Sequence, residues 1–409
     1  MVWPNFVRAL SHRNFRLYFS GQVVSLVGTW MQNVAMSWLA YRIGHLVFLL
    51  GAISFAQQIP MLVVSPFVGN ILDRIDRLKL LRVTQTLSMI PASVAAWLTL
   101  TGHVQVWHLV LLAGVLGLIN SIDVPARQSI IVSLVEERAD MANAIAMNSL
   151  AINGARLIGP AVAGLIVAGI GEGLCFLLNA LSYLAVIAAL FRVRIQRPSA
   201  KMTRLPGGLR QGFQYAIRSP EIRTLLAITA VTSFLVAPYV VVMPYFARDV
   251  FQGDARLLGW LLGCSGSGAI LASIFLLSRP HMHSLAVGLR SAALIGAIAT
   301  VCFSASHTLW FSMLMLVLMG FGMIVTAAAC NTLIQSVVPD ELRGRVMSMF
   351  SACYIGLIPI GSLLVSSIAH LAGVPATIGA CAALGALILL NLRRQLEPLV
   401  QKLASGSSV

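Results

Sequence analysis

Ser133-Leu-Val-Glu-Glu-Arg138 lies between two long apolar runs, and Ser336-Val-Val-Pro-Asp-Glu341 lies between two more, 203 residues further on. In both places a long apolar run precedes the motif and a run rich in small residues follows it. The chain thus looks like itself when shifted by about half of its 409 residues. In an apolar chain such a repeat reads as two structural halves with a central site between them.

The composition agrees. Apolar residues make up 58% of the chain and charged residues 10%, and the mean hydropathy is +0.88. A soluble domain has about 25% charged residues and about 45–50% apolar ones. A soluble enzyme, a disordered protein and a disulfide scaffold are therefore poor fits. Apolar segments fall near 17–41, 47–71, 80–101, 106–130, 143–169, 174–191, 224–246, 258–278, 286–305, 309–333, 346–370 and 374–392. Each is long enough to cross a bilayer as a helix. None has the period-two alternation of a membrane barrel. The expected fold is all-α and integral to the membrane, with twelve transmembrane helices in two six-helix bundles related by the repeat. The expected boundaries are 1–195 and 223–395 for the bundles, 196–222 for a linker and 396–409 for a tail.

The net charge of +15 has its explanation in the connections. Of 28 Lys and Arg, 24 fall on the side that holds both termini, three (Arg42, Arg248, Arg256) fall on the other, and Arg156 lies within a span. Basic residues concentrate on the cytoplasmic side of membrane proteins. Both termini and the 192–223 connection are therefore expected in the cytoplasm, facing anionic lipid, and no nucleic-acid partner is needed. The first apolar run is too long for a signal peptide. The stretch before it, Trp3 to Arg16, reads as an interfacial helix with Trp3, Phe6 and Phe15 in lipid. The six cysteines lie in apolar segments without a C-x-x-C pair and imply no disulfide framework.

Three motifs carry the chemistry. The first is Gly69-Asn-Ile-Leu-Asp73-Arg74-Ile-Asp76-Arg77-Leu-Lys79 at the end of the second span. Gly69 permits close helix approach. Asp73 can face a helix N-terminus or a cation. Arg74, Arg77 and Lys79 hold the turn at an anionic surface. The second is Asn120-Ser-Ile-Asp123-Val-Pro125-Ala-Arg127-Gln128. The third runs from Asn143 through Asn153-Gly154-Ala-Arg156-Leu-Ile-Gly159-Pro160 to Gly164. Its glycines recur every five residues beside Pro160, which suits close packing and a bend.

The first motif resembles the signature of the major facilitator superfamily, except that Asp76 stands where glycine is usual. The second and third, with Ser11 to Arg16, Trp30 and Trp38, resemble a branch containing the enterobactin exporter and macrolide efflux proteins. That resemblance implies a monomeric twelve-helix secondary exporter in a bacterial inner membrane. The Gly-Pro pair on the fifth span resembles an antiporter signature, which favours export over uptake, and the proton is the expected coupling ion. The first motif and Arg127, both at cytoplasmic helix ends, are expected to form a gate between the second and fourth spans.

Arg156 and Asp123 are the two ionised groups deep in the spans, and such groups serve a pathway or a partner. Arg156, Asp123 and Asn153 are therefore candidates for a substrate or proton path. Arg156 either meets an anionic or neutral hydrogen-bonding substrate or pairs with Asp123. Asp73 and Arg127, with no obvious local partners, are expected to pair with each other. The expected partners are a small organic molecule, siderophore-like or drug-like, membrane lipid and protons. A lysophospholipid or other lipid-like substrate is the alternative. No Walker motif is present, so no ATP and no cofactor is expected. A membrane enzyme would need further ionisable groups inside the spans.

The charge asymmetry makes a topological prediction. A cysteine placed at Ser199 should react with a membrane-impermeant maleimide only after cells are permeabilised; labelling in intact cells would reverse the orientation.

Overall fold

The structure, a computed structural model, describes residues 5–72, 75–135, 137–193, 209–279 and 281–404. Long helices carry nearly all of them. They are α1 (Arg13–Gly44), α2 (Val47–Leu72), α3 (Arg77–Leu100), α4 (Val106–Leu134), α5 (Met141–Gly169), α6 (Glu172–Arg192), α7 (Leu209–Arg218) and α8 (Pro220–Val250). Then come α9 (Ala255–Leu277), α10 (Met282–Ser304), α11 (Leu309–Val337), α12 (Asp340–Ala372), α13 (Val374–Gln395) and α14 (Glu397–Ala404). Eleven of these are long and apolar enough to cross a membrane. The twelfth expected span, α1, has 32 residues but is more polar. Its Gln22, Ser25 and Gln32 are buried among protein, where polar groups are tolerated in a span.

The chain forms two compact units. Unit 1 holds Met1–His45, Ala56–Thr203 and Gly253–Gly263; unit 2 holds Leu46–Phe55, Arg204–Gln252 and Cys264–Val409. They follow the two sequence halves except that the first turns of α2 and α9 are exchanged. The core of unit 1 includes Phe15, Tyr18, Leu81, Ile130 and Leu190. That of unit 2 includes Ile222, Leu289, Leu333, Phe350 and Leu399. Leu399 belongs to α14, so the tail helix is docked on its bundle.

The repeat reappears as matched packing inside each unit. A methyl on Gly117 of α4 would overlap the carbonyl of Gln57 on α2. A methyl on Gly320 of α11 would overlap the carbonyl of Ser265 on α9, and 117 and 320 are 203 apart. Gly159 of α5 lies against Trp30 of α1, as Gly361 of α12 lies against Phe234 of α8. Close backbone approach at small residues is how helices associate in lipid.

The structure revises several local readings. Helix α4 runs to Leu134, past the expected end near 130, so Arg127 lies about two turns inside the helix and not at its end. The start of the chain does not place Phe15 in lipid. Phe15 is fully buried, because the short helix Asn5–Ser11 is pinned down by Arg8 and His12, each 2.9 Å from Asp140, and by Asn143 accepting from the Ala9 amide. Helix α8 is irregular. Wide turns occupy Thr232–Val236 and Phe246–Val250, near Pro238 and Pro244, whose missing N–H groups break the regular ladder. Helix α12 has a similar wide turn at Ala352–Gly356, just before Pro359.

The matched glycines should be intolerant. Gly117→Val and Gly320→Val are each expected to destabilise their unit by about 1–3 kcal/mol through overpacking against backbone. The measurement is the thermal unfolding midpoint of the detergent-purified protein, with Gly154→Ala as a control expected to change little.

Candidate functional site

Asp123 is the centre of a buried polar cluster in unit 1. Pro125 lies between Asp123 and Arg127, whose i,i+4 spacing on α4 puts both side chains on one face. Arg127 Nε lies 2.7 Å from Asp123 Oδ2. The other carboxylate oxygen accepts from α3: Thr84 Oγ1 donates at 2.6 Å and Gln85 Nε2 at 2.8 Å. Asp123 is 1% exposed on its side chain and Arg127 22%. A pair this buried is tolerated only when the remaining lone pairs are filled, which Thr84 and Gln85 do.

The cluster extends across the bundle. Tyr18 of α1 and Tyr183 of α6 are buried within electrostatic reach of both charges. Tyr183 hydrogen-bonds with Thr29 and Asn179. Asn179 donates to Gln32 Oε1 at 2.7 Å, and Ser182 donates to Asn179 Oδ1 at 3.1 Å. Four helices are thus joined through polar groups.

Arg156 stands apart from this cluster. It sits mid-way along α5, half-buried, with its guanidinium carbon 5.9 Å from the centre of the Trp30 ring. Among the described residues no acid pairs with it. Asp123, its expected rival partner, is occupied by Arg127. Asn153 and Gly154 precede it on the same helix, and a methyl on Gly154 would meet nothing within 4 Å. Gly154 therefore does not serve close packing, unlike Gly159 and Gly164. Gly164 lies against Gly259 and Ala255 of α9, and a methyl on Gly259 would overlap the Pro160 carbonyl.

The first motif is described in part. Gly69 lies in α2, while Asp73 and Arg74 lie outside the described residues, as does the expected Asp73–Arg127 pairing. Arg127 has the local partner that the sequence reading did not give it. Asp76 has its own role: its carboxylate accepts from the amides of Leu78 (2.8 Å) and Lys79 (3.3 Å) and caps α3. Carboxylates are favoured at that position, which accounts for the replaced glycine. Arg77 donates to the Ser129 carbonyl of α4 at 3.2 Å, and Lys79 is exposed.

The sequence reading missed Thr84, Gln85, Asn179 and Gln32. Their signal was available, since polar side chains inside apolar spans seek one another. It also counted Arg42 only as a loop charge. Arg42 makes a two-pronged pair with buried Glu172 at the N-terminus of α6, at 2.9 and 3.0 Å. In the second half, Thr326 and Cys330 stand 203 positions after Asp123 and Arg127. Both are buried, and Thr326 donates to its own helix at Gly322.

A family model for transmembrane secretion effectors matches residues 6–408. The chain belongs to this family of the major facilitator superfamily. It is similar to the staphyloferrin A transporter of Staphylococcus aureus, with 24% identity over 88% of this chain and 91% of the relative. It is also similar to the multidrug efflux pump Tap of Mycolicibacterium fortuitum, with 23% identity over 86% and 88%. In fold it matches the nucleoside transporter NupG, with a TM-score of 0.71 and 11% identity over 93% of this chain and all of that one. The family consists of multi-pass membrane transporters of small molecules, and this member is a transporter and not an enzyme.

The buried pair should behave as a unit. Asp123→Asn leaves Arg127 without its counter-charge and is expected to cost about 3 kcal/mol. Replacing both, Asp123→Leu with Arg127→Met, is expected to recover most of that loss. Thermal unfolding of the two variants decides: equal losses would mean the groups are not coupled.

Proposed function

We propose that this secretion-effector family member is a proton-coupled exporter of a small organic molecule that is anionic or neutral and rich in hydrogen-bonding groups. The observation that carries the reading is Arg156. A guanidinium in the middle of a membrane helix is costly without a partner. Here it lies over Trp30, half-exposed, and no acid among the described residues satisfies it. An anionic substrate would supply the missing charge, and Asn153 would add a hydrogen bond. An exporter of lipophilic cations needs an acid at its site, and Asp123, the deepest acid, is already held by Arg127. One relative is named for staphyloferrin A and another for multidrug efflux, which supports a small organic cargo.

Coupling is assigned to Asp123 and Arg127. Protonation of Asp123 would displace Arg127 and weaken the hydrogen bonds that the carboxylate accepts from Thr84 and Gln85 of α3, which connects proton movement to the contact between α3 and α4. The Gly69, Asp73, Arg74, Arg77 and Lys79 motif gates the same end of the bundle. In this reading the protein is a monomer in a bacterial inner membrane, with both termini in the cytoplasm, and works by alternating access.

Transport into inverted membrane vesicles tests the reading, using a chemically diverse panel with and without a pH gradient. Arg156→Gln is expected to lower transport of the preferred anionic compound at least about ten-fold, the worth of a hydrogen bond to a charged group. Efficient ethidium transport that Arg156→Gln leaves unchanged would overturn the anion reading, and transport indifferent to the pH gradient would overturn the coupling.

A further inference from the structure

The basic end of unit 2 carries a second site. An open cavity of about 640 Å³ lies between α10, α13 and α14. Arg290 comes from α10, Leu390, Asn391, Arg393 and Arg394 come from α13, and Glu397 opens α14. Three guanidinium groups thus face one carboxylate. Arg290 gives one nitrogen to Glu397 at 2.7 Å, while its Nε is buried with no hydrogen-bond partner among the described residues. One carboxylate does not balance three guanidinium groups, so the cavity favours an anionic acceptor.

What approaches the cavity is apolar. Leu384, Leu387 and Leu390 are 51%, 66% and 47% exposed and form one stripe along α13 that ends at the arginines. Val287, one turn before Arg290 on α10, is exposed as well. In a membrane-spanning bundle these surfaces face acyl chains. The site therefore offers positive charge at the headgroup level and an apolar track beneath it. A free phosphate would use the first and not the second. The tail helix forms one wall and is held by Lys402 to Glu221 at 2.7 Å and by the buried Leu399.

We propose that this cavity binds the phosphodiester headgroup of an anionic phospholipid, with its acyl chains along the Leu384–Leu390 stripe. Basic pockets at the cytoplasmic ends of membrane helices recognise such headgroups by charge. The site stands on the membrane location of the chain and is independent of what the protein exports.

The test is titration of the detergent-purified full chain with dioctanoyl phosphatidylglycerol, with bound lipid counted by native mass spectrometry. Dioctanoyl phosphatidylcholine and glycerol phosphate serve as comparisons. Phosphatidylglycerol is expected to bind well above both. Arg393→Ala with Arg394→Ala removes two exposed charges and is expected to weaken binding about thirty-fold, from the electrostatic worth of two basic residues at an anionic surface. Arg393→Lys with Arg394→Lys keeps the charge and is expected to retain most of the affinity, which separates loss of charge from damage to the fold. Binding unchanged in the alanine variant, equal loss in the lysine variant, or glycerol phosphate binding as tightly as the lipid would each overturn the proposal.

Discussion

Lipid tails are as apolar as leucine, so a membrane helix gains nothing from the hydrophobic effect by leaving lipid for another helix. Association must come from contact at short range, and the glycines of this chain supply it. Gly117 lets the carbonyl of Gln57 pass, and Gly320 does the same for Ser265. Gly159 and Gly361 bring a helix each against Trp30 and Phe234. These separations set the spacing of the helices that carry the polar groups. Asp123 reaches Thr84 and Gln85 because α3 and α4 run close enough for short side chains to meet.

Within that frame the two deep charges follow opposite logics. Asp123 is surrounded by Arg127, Thr84 and Gln85, so its cost is offset inside the protein. Among the described residues Arg156 is offset by an aromatic face alone, and a cation over a ring recovers only about 0.5–2 kcal/mol. The first arrangement holds a conformation together. The second leaves the guanidinium half-exposed beside a ring.

Much of the architecture was legible in the sequence, because apolar length and basic loops are strong signals that need no neighbours to interpret. The half repeat was legible from Ser133 and Ser336 alone. What resisted reading was pairing between spans. Arg127 lies near the expected end of its apolar segment, and an arginine there looks like a boundary charge until the helix is seen to continue to Leu134. Its local partner was one turn away. Phe15 was assigned to lipid, because an amphipathic pattern does not say whether the apolar face meets lipid or another helix. Gly154 and Gly159 looked alike in spacing, yet one meets open space and the other Trp30. Spacing gives the face of a helix and leaves out what the face touches.

The substitution of Thr326 and Cys330 for the charged pair has a wider consequence. The two halves share a scaffold, but an ionised pair binds the helices of one and small neutral side chains fill the same level of the other. The duplicated frame is symmetric in shape and lopsided in chemistry. In the first half, α4 answers to electrostatic complementarity, where each change needs a matching change elsewhere. In the second half, α11 carries no charge at that level, and Thr326 and Cys330 combine small volume with a hydrogen bond each. One copy ties its helices by charge, and the other by fit and short neutral contacts.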